Sequence, residues 1–302
     1  MARLNVGAQP FVKWQGGKGQ HLLILNQALP TDFADIPNVT YIEPFVGGGA
    51  MLFHMLQTYP NITRAVINDN NLDLMRVYNT VRDRSAELIV ALKRIQKEFL
   101  PLSEEKRREY FEQARKQFDQ HLTDGIHHAS LFLFLNKTSV NGLGQKYHHS
   151  QKPVICEEAV LQADAKVLHR VTIMCDDYEK TYNEACGNSF FFLDPPYRPA
   201  HKAKPGEWGD KEQVRLKKFC DLLNFRHFQW MLTNSDGKAK DPSDDFMDQL
   251  YGNYDIQRIW SQQAIVAKPE KREKQSEILV RNFDREILSL RDLRCQQLTL
   301  AF

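Results

Sequence analysis

The chain has 302 residues, is 42% hydrophobic, and balances 40 Lys and Arg against 38 Asp and Glu for a net charge of +2. This length suits one large α/β domain with an insertion, or two domains, and the charge balance confines any nucleic-acid surface to a local patch. Without a membrane-length apolar run or a signal-peptide segment, the sequence predicts a cytoplasmic protein. Five scattered cysteines with no C-x-x-C pair predict neither a disulfide framework nor a zinc site.

The first motif is the loop at residues 10–19, Pro-Phe-Val-Lys-Trp-Gln-Gly-Gly-Lys-Gly. Its glycines and Lys18 resemble the end of a Walker phosphate-binding motif. However, Gly19 stands where Ser or Thr should bind magnesium, and Val12 stands where the first glycine is required. We therefore predict a small loop that packs Trp14 against a ligand and directs Lys18 toward a carboxylate. The alternative is a loop anchored only by its aromatic residues.

A strand–turn–helix–strand pattern follows between residues 39 and 69. Residues 39–42 read as a strand, residues 43–49 (Glu-Pro-Phe-Val-Gly-Gly-Gly) as a turn, and residues 50–56 as a buried helix. The next strand, at residues 64–67, leads to Asp69. Glycines at a helix N-terminus let the backbone approach a ligand closely, and an acid at this distance commonly binds ribose hydroxyls. The pattern predicts a nucleoside-cofactor site, although three glycines can also form a simple tight loop.

The next part of the chain, residues 72–165, reads as helical and charged. Apolar residues at helical spacing predict helices at 72–82 and 85–99, and acids in the first turn mark a third helix from Ser103 to about residue 121. A strongly apolar helix follows at residues 129–135.

A polar loop after that apolar helix mixes amide, aromatic and basic side chains. Amides can hydrogen-bond to adenine edges, and cations bind phosphates, so this loop is a candidate DNA contact; the alternative is a solvated loop. The candidate residues are Lys137, Asn141, Gln145, Lys146, Tyr147, His148, His149 and Lys152. The histidine pair lacks a suitably spaced third ligand, so no metal site is predicted.

Short strands return after residue 165, at 171–174, 189–193, 227–233, 254–260 and 277–282. The 189–193 strand contains four consecutive apolar residues, which is typical of a strand buried on both faces. It must end at Asp194-Pro195-Pro196-Tyr197 because neither proline can donate a ladder hydrogen bond. In open α/β sheets, ligands bind at this carboxyl edge.

The Asp-Pro-Pro-Tyr tetrad suits methylation of an exocyclic amino group. The lone pair of such a nitrogen is delocalised into the base, which makes it a poor nucleophile. The Asp194 carboxylate and the Pro195 carbonyl could accept its two N–H bonds, while Pro196 helps to fix the backbone. Tyr197 offers a flat face for a base turned out of the helix. The alternative is a buried strand that simply ends in a Pro-Pro turn, with Asp194 as a cap.

Four segments together resemble the Dam-type family of DNA adenine-N6 methyltransferases. They are the 10–18 loop, the 41–49 glycine motif, the segment from Phe132 through Lys137 to Asn141-Gly142-Leu143, and the Asp-Pro-Pro-Tyr tetrad. The resemblance implies S-adenosyl-L-methionine as cofactor and a Rossmann-like α/β fold with a seven-strand sheet. It also implies a catalytic domain at residues 1–71 and 166–302, with an inserted, mostly helical DNA-recognition region at residues 72–165.

The resemblance also assigns roles by position. The implied catalytic residues are Asp194, Pro195, Pro196 and Tyr197. The implied cofactor-binding residues are Trp14, Lys18, Glu43, Phe45, Gly47, Asp69, Asp177 and Tyr178. Asp176 is the alternative to Asp177 if the register differs by one residue. Val140 stands where relatives often carry an aromatic residue, so neither the target sequence nor the mode of base flipping transfers to this chain.

The resulting hypothesis is a site-specific adenine-N6 methyltransferase that acts on double-stranded DNA without a metal or a membrane. Two alternatives stay open at this point: methylation of cytosine N4, which needs the same acceptor geometry, and a non-catalytic DNA- or nucleoside-binding protein of the same fold. The sequence leaves open whether a cognate restriction endonuclease acts on the same site.

Overall fold

The computed structural model describes residues 7–120, 125–149, 152–199, 203–204, 207–262 and 274–283. The helices are α1 Leu22–Gln27, α2 Ala50–Thr58, α3 Leu72–Phe99, α4 Glu104–Asp119, α5 Gly125–Thr138, α6 Glu158–Leu168, α7 Asp210–Phe225 and α8 Phe246–Tyr251. The strands are β1 Val39–Glu43, β2 Ile62–Asn68, β3 Val171–Met174, β4 Ser189–Leu193, β5 Gln229–Ser235, β6 Asp255–Gln262 and β7 Lys274–Arg281. None of the helices in these ranges is long and apolar enough to span a membrane.

The strands form a seven-stranded mixed sheet in the order β3-β2-β1-β4-β5-β7-β6. β1 and β4, β4 and β5, and β2 and β3 pair in parallel, whereas β7 is antiparallel to both β5 and β6. Every residue of β1 and β4 is buried, as expected for apolar strands covered on both faces. The predicted fold class, an α/β methyltransferase-type sheet of seven strands, is confirmed.

The strands agree with the sequence prediction to within about three residues. One shift has a local explanation. Strand β5 is predicted to start at residue 227 but starts at Gln229. His227 has φ +60°, a left-handed conformation that cannot continue a β-ladder, so the strand begins two residues later.

Contacts divide the chain into two compact units. The first comprises Met1–Gly19 and Val46–Tyr178, and the second comprises Gln20–Phe45 and Glu179–Phe302. These contact units follow different boundaries from the predicted insertion at residues 72–165. The proposed domain limits therefore stay a prediction.

In the first unit, α3 packs against α5 and α6. α3 spans 28 residues, and within it Arg84 has non-helical dihedrals of φ −136° and ψ 33°. This interruption lies at the junction between the two helices predicted at 72–82 and 85–99. The next helix, α4, begins as predicted, because the Ser103 side chain accepts a hydrogen bond from the Lys106 N–H at 3.5 Å.

An aromatic cluster fills the core between these helices. The ring of Phe134 on α5 lies 5.0 Å from that of Phe99, 5.5 Å from Tyr110 and 6.4 Å from Phe111, measured between centroids. The first two pairs are edge-to-face, an arrangement that the quadrupoles of aromatic rings favour. Phe134 is fully buried, so it joins α3, α4 and α5 in one apolar core.

Phe134→Ala should lower the free energy of unfolding by about 3–5 kcal/mol, because it removes a buried ring and leaves a cavity. Urea denaturation followed by circular dichroism would measure this. Phe225→Ala is the matched control: Phe225 is 77% exposed, so its truncation should change stability by no more than about 0.5 kcal/mol. Equal losses in the two variants would contradict this account of the core.

Candidate functional site

The glycine turn after β1 has the backbone geometry that its sequence predicts. Gly47 and Gly49 adopt left-handed φ values of +48° and +74°. A Cβ atom on Gly47 would lie 2.6 Å from the indole of Trp14, so no other residue fits without displacing that ring. The Gly47 carbonyl also accepts a 3.0 Å hydrogen bond from the Tyr78 hydroxyl. The first unit thus brings Trp14 of the N-terminal loop directly onto the turn.

Asp69 lies immediately after β2 and braces the same turn. One carboxylate oxygen accepts from the Gly47 N–H at 3.1 Å, and the other accepts from the Asn71 N–H at 3.0 Å. Burial raises the pKa of Asp69, while bonds from backbone N–H groups, including that of Asn70, act against this rise. A carboxylate offers about four acceptor positions, so Asp69 can still accept a ligand hydroxyl.

Lys18 lies at the other end of the N-terminal loop. It is buried, and its Nζ donates to the Gly16 carbonyl at 2.9 Å. The Lys18 ammonium is therefore held against the backbone of its own loop.

The end of β3 is tied to the end of β2 by an amide side chain. The Asn68 side chain accepts from the Asp176 N–H at 2.9 Å and donates to the Asp176 carbonyl at 3.0 Å. Asp176 is exposed, Asp177 is half-buried, and Tyr178 is buried at the start of a short 3-10 helix. The structure places both candidate acids at the carboxyl ends of these strands, and the choice between them stays a prediction.

The segment leading to the N-terminal loop is held by two side chains that sequence reasoning missed. Gln57 accepts from the Ala8 N–H at 2.8 Å and donates to the Ala8 carbonyl at 2.7 Å. Asp164 on α6 accepts from the Gln9 N–H at 2.9 Å. The sequence signal that could have identified Asp164 is a polar residue at a core position of an amphipathic helix. The structure shows that Asp164 is completely buried.

The surroundings of Asp164 favour the protonated form of its carboxyl group. Among the described residues, its second oxygen is buried with no hydrogen-bond partner. Burial raises the pKa of Asp164 from 3.8 to about 8, and the Gln9 hydrogen bond only partly offsets this.

The second unit holds Glu43 and Phe45. The Glu43 side chain is buried and accepts from the Tyr41 hydroxyl at 2.7 Å. Burial, followed by the negative charges of Glu43 and Asp194, raises the pKa of Tyr41 well above its ordinary value. Phe45 packs edge-to-face on Trp208, with centroids 5.7 Å apart.

The Asp-Pro-Pro-Tyr tetrad follows β4 as predicted. The Asp194 carboxylate is half-buried and accepts from the Thr233 hydroxyl of β5 at 2.7 Å, which fixes its orientation. The Tyr197 hydroxyl donates to Glu277 on β7 at 2.6 Å. Burial, together with the charges of Asp194 and Glu277, raises the pKa of Tyr197 well above its ordinary value, so the phenol stays protonated.

Several residues that the sequence analysis did not identify make hydrogen bonds at or next to the tetrad. Gln213 on α7 donates to the Pro196 carbonyl at 3.3 Å, and Asn234 on β5 donates to Gln213 at 3.0 Å. Both side chains are fully buried. Arg198 continues the chain and binds Asp210 and Asp244, each at 2.6 Å. These contacts hold the backbone of the tetrad in one conformation.

The predicted DNA-contact loop forms a small hairpin across residues 138–148. Its two arms are joined by backbone hydrogen bonds, and Ser139 and Tyr147 form an antiparallel bridge. The exposed candidates are Asn141, Gln145, Lys146, His148, His149 and Lys152.

The other two candidates make internal contacts. The Lys137 ammonium pairs with Glu157. The Tyr147 ring packs on Phe111 at 5.6 Å, and its hydroxyl donates to Glu104 at 3.3 Å. Their contact with DNA stays a prediction. Within the described residues, no group of three or more His, Cys, Asp or Glu side chains could hold a metal ion.

An α/β sheet whose strands end in a glycine turn and an Asp-Pro-Pro-Tyr tetrad defines the chain as a methyltransferase. The family model of the D12 class N6 adenine-specific DNA methyltransferases matches residues 14–265, and the chain belongs to this family. Its activity is therefore methylation of adenine N6 in DNA, as predicted, rather than the alternative methylation of cytosine N4. Methyltransferases of this kind generally depend on S-adenosyl-L-methionine.

Curated relatives agree with this family. The chain is 35% identical to "Type II methyltransferase M.MjaIII" of Methanocaldococcus jannaschii, covering 91% of this chain and 99% of that protein. It is 26% identical to the "DNA adenine methylase" of Haemophilus influenzae over 90% of this chain and 92% of that one. The corresponding values for the Escherichia coli K12 "DNA adenine methylase" are 27%, 75% and 80%.

Asp164→Asn should remove a pH dependence of stability. The carboxyl titrates near 3.8 when unfolded and at about 8 when folded, so the folded state holds the extra proton between these values. The free energy of unfolding of the parent should therefore fall as pH rises from about 4 to 8, by at most about 5–6 kcal/mol, and then level off. The asparagine variant should lack this slope.

Urea denaturation at pH 5, 6, 7 and 8 would measure the effect. Asp241→Asn is the control: Asp241 is fully exposed and its pKa is lowered by hydrogen bonds from Ser243, so it titrates below this range. A slope that survives in Asp164→Asn would contradict the assignment.

Proposed function

We propose that this enzyme transfers a methyl group from S-adenosyl-L-methionine to the N6 amino group of an adenine flipped out of double-stranded DNA. The observation that carries the proposal is the Asp194 carboxylate, which follows a fully buried strand and is oriented by the Thr233 hydroxyl at 2.7 Å. A fixed acceptor at the carboxyl end of a parallel strand suits recognition of an amino group.

The chemistry requires the adenine amino nitrogen to act as a nucleophile. When bound, the donor supplies a methyl group on a positively charged sulfur. Asp194 and the Pro195 carbonyl accept the two N–H bonds, which pulls the nitrogen toward a tetrahedral geometry and frees its lone pair. Preorganisation is provided by the prolines and by Gln213, whose amide holds the Pro196 carbonyl. Tyr197, kept neutral and anchored on Glu277, offers its ring to the base.

The residues of the first unit suit a nucleoside that carries an amino-acid group. Asp69 retains acceptor capacity for a ribose hydroxyl, and the left-handed glycine turn lets the backbone approach a ligand. In this proposal Trp14, Lys18 and Gly47 contact the donor, and Asp177 and Tyr178 lie at its adenine. Glu43 and Phe45 stay predicted cofactor-binding residues.

DNA is the substrate of the family, and double-stranded DNA is the form that we propose. The exposed amides and cations of the 138–148 hairpin suit base edges and phosphates. A relative named as a Type II methyltransferase supports a partner restriction endonuclease that acts on the same site. Since the substrate is DNA, we place the enzyme in the cytoplasm, at the nucleoid.

The test of the proposal is transfer of labelled methyl from S-adenosyl-L-methionine to unmethylated double-stranded DNA, with nucleoside analysis of the product. N6-methyladenine is the expected product, and sequencing that detects modified bases would then locate the target. N4-methylcytosine, or no transfer to a library that covers all short sites, would contradict the proposal.

Asp194→Ala should reduce turnover by at least about 100-fold, because it removes a preorganised acceptor for the reacting amino group. Affinity for S-adenosylhomocysteine should change little. Thr233→Val, which removes only the hydroxyl that orients Asp194, should cause a smaller loss. Asp83→Ala deletes an exposed carboxylate from α3 and should behave as the parent. Equal loss of turnover and S-adenosylhomocysteine binding in Asp194→Ala would count against this role.

Asp69→Ala should instead weaken S-adenosylhomocysteine binding by about 10- to 100-fold, the range for a lost hydrogen bond to a charged group. Titration calorimetry would measure it. Asp69→Asn removes the negative charge but keeps an oxygen that can accept from the Gly47 N–H. Comparison of the two variants therefore distinguishes the effect of the charge from the effect of supporting the turn. Unchanged affinity in both variants would remove Asp69 from the donor site.

A further inference from the structure

Asn136, at the end of α5, uses its whole side-chain amide to hold two other segments. Its Oδ1 accepts from the Lys13 N–H at 2.8 Å. Its Nδ2 donates to the Lys13 carbonyl at 2.8 Å and to the Gly142 carbonyl at 2.8 Å. Both donors of the amide are thus in use, and the side chain is 98% buried, with a relative exposure of 2%. It pairs with both backbone groups of Lys13, as a neighbouring β-strand would.

The two segments held by Asn136 have different proposed tasks. Lys13 directly precedes Trp14, whose indole lies against the glycine turn at Gly47. Gly142 belongs to the 138–148 hairpin, which carries the candidate DNA contacts. One buried side chain in the first unit therefore connects the loop proposed to bind the methyl donor with the hairpin proposed to bind DNA.

The hairpin and the loop also approach each other too closely to move independently. Gly142 has φ +76°, and a Cβ atom there would lie 2.6 Å from the Lys13 carbonyl oxygen and 2.8 Å from Asn136 Nδ2. The Lys13 ammonium donates to the Lys137 carbonyl at 2.9 Å, which adds a second connection. Separation of the two segments would leave the buried Asn136 amide without its partners, which is unfavourable.

We propose that Asn136 is a positioning residue that couples DNA binding at the hairpin to methyl-donor binding at the loop. Contact of DNA with the hairpin fixes Gly142, Asn136 transmits this to the Lys13 backbone, and the Trp14 loop is held in its donor-binding conformation. By linkage, the donor strengthens DNA binding by the same factor. This inference rests on the proposed function, because it needs both ligands to bind where that proposal places them.

The coupling is measurable as a ratio of affinities. Equilibrium dialysis of labelled S-adenosylhomocysteine against the full-length protein, with and without saturating unmethylated plasmid DNA, gives that ratio. For the parent, DNA should tighten binding by about 5- to 150-fold, the usual range of allosteric coupling. In Asn136→Ala the ratio should approach one, even where the affinity measured without DNA also changes.

Two glycines of the same hairpin provide a matched pair of variants. Gly142→Ala places a methyl group against Lys13, whereas Gly144→Ala, at a similar φ of +68°, meets only Leu135 Cβ at an ordinary 3.7 Å. Both alanines carry the strain of a left-handed backbone conformation, but only the alanine at position 142 disturbs the contact with the loop. Gly142→Ala should lose the coupling, and Gly144→Ala should keep it.

Three results would overturn the inference: a parent ratio of one, a parent-like ratio in Asn136→Ala, or equal losses in the two glycine variants. If Asn136→Ala fails to fold by thermal denaturation, the glycine pair decides. A parent that transfers methyl groups yet has a ratio of one loses only the coupling. A parent that does not bind S-adenosylhomocysteine contradicts the proposed function, and the inference falls with it.

Discussion

Burial of the parallel strands on both faces is the constraint on which the rest of this structure depends. β1 and β4 are covered along their whole length, so they have no surface on which a polar functional group could lie. The one charged residue of these two strands, Glu43, is the last residue of β1. Asp69 directly follows β2, and Asp194 directly follows β4. Each of these candidate functional groups thus lies at the carboxyl end of its own strand.

Three asparagine side chains hold irregular segments by hydrogen-bonding to backbone groups, as a neighbouring strand would. Asn68 pairs with the N–H and the carbonyl of Asp176, and Asn136 does the same for Lys13. Asn234 accepts from the Arg198 N–H and donates to Gln213. All three asparagines are buried. Each satisfies backbone groups of an irregular segment, which would otherwise be left without hydrogen-bond partners.

The sequence predicted the parts of the molecule that depend on local pattern. Apolar runs located the strands, and the glycine turn and the Asp-Pro-Pro-Tyr tetrad lie where their flanking elements placed them. It did not predict Thr233, Gln213 or Asn136, because each acts on a group far away in the chain through a contact that only the fold creates. Residue type alone also left the internal contacts of two candidate DNA-binding residues unpredicted. The sequence does not show that Lys137 has an internal ion pair or that Tyr147 packs in an aromatic core, and their contact with DNA stays a prediction. Local pattern cannot tell an exposed cation from one that is already paired.

The interruption of α3 at Arg84 has a consequence for how such a protein can change. In an uninterrupted helix, one inserted residue rotates everything beyond it by about 100° and turns its apolar stripe away from the core. Here the half before Arg84 buries residues such as Val77 and Tyr78, and the half after it buries Leu92 and Phe99. A non-helical residue between them can absorb an insertion or deletion without rotating either stripe. The part of α3 after Arg84 can therefore vary in length. The glycine turn, which is hydrogen-bonded to Tyr78 in the part before Arg84, keeps its geometry.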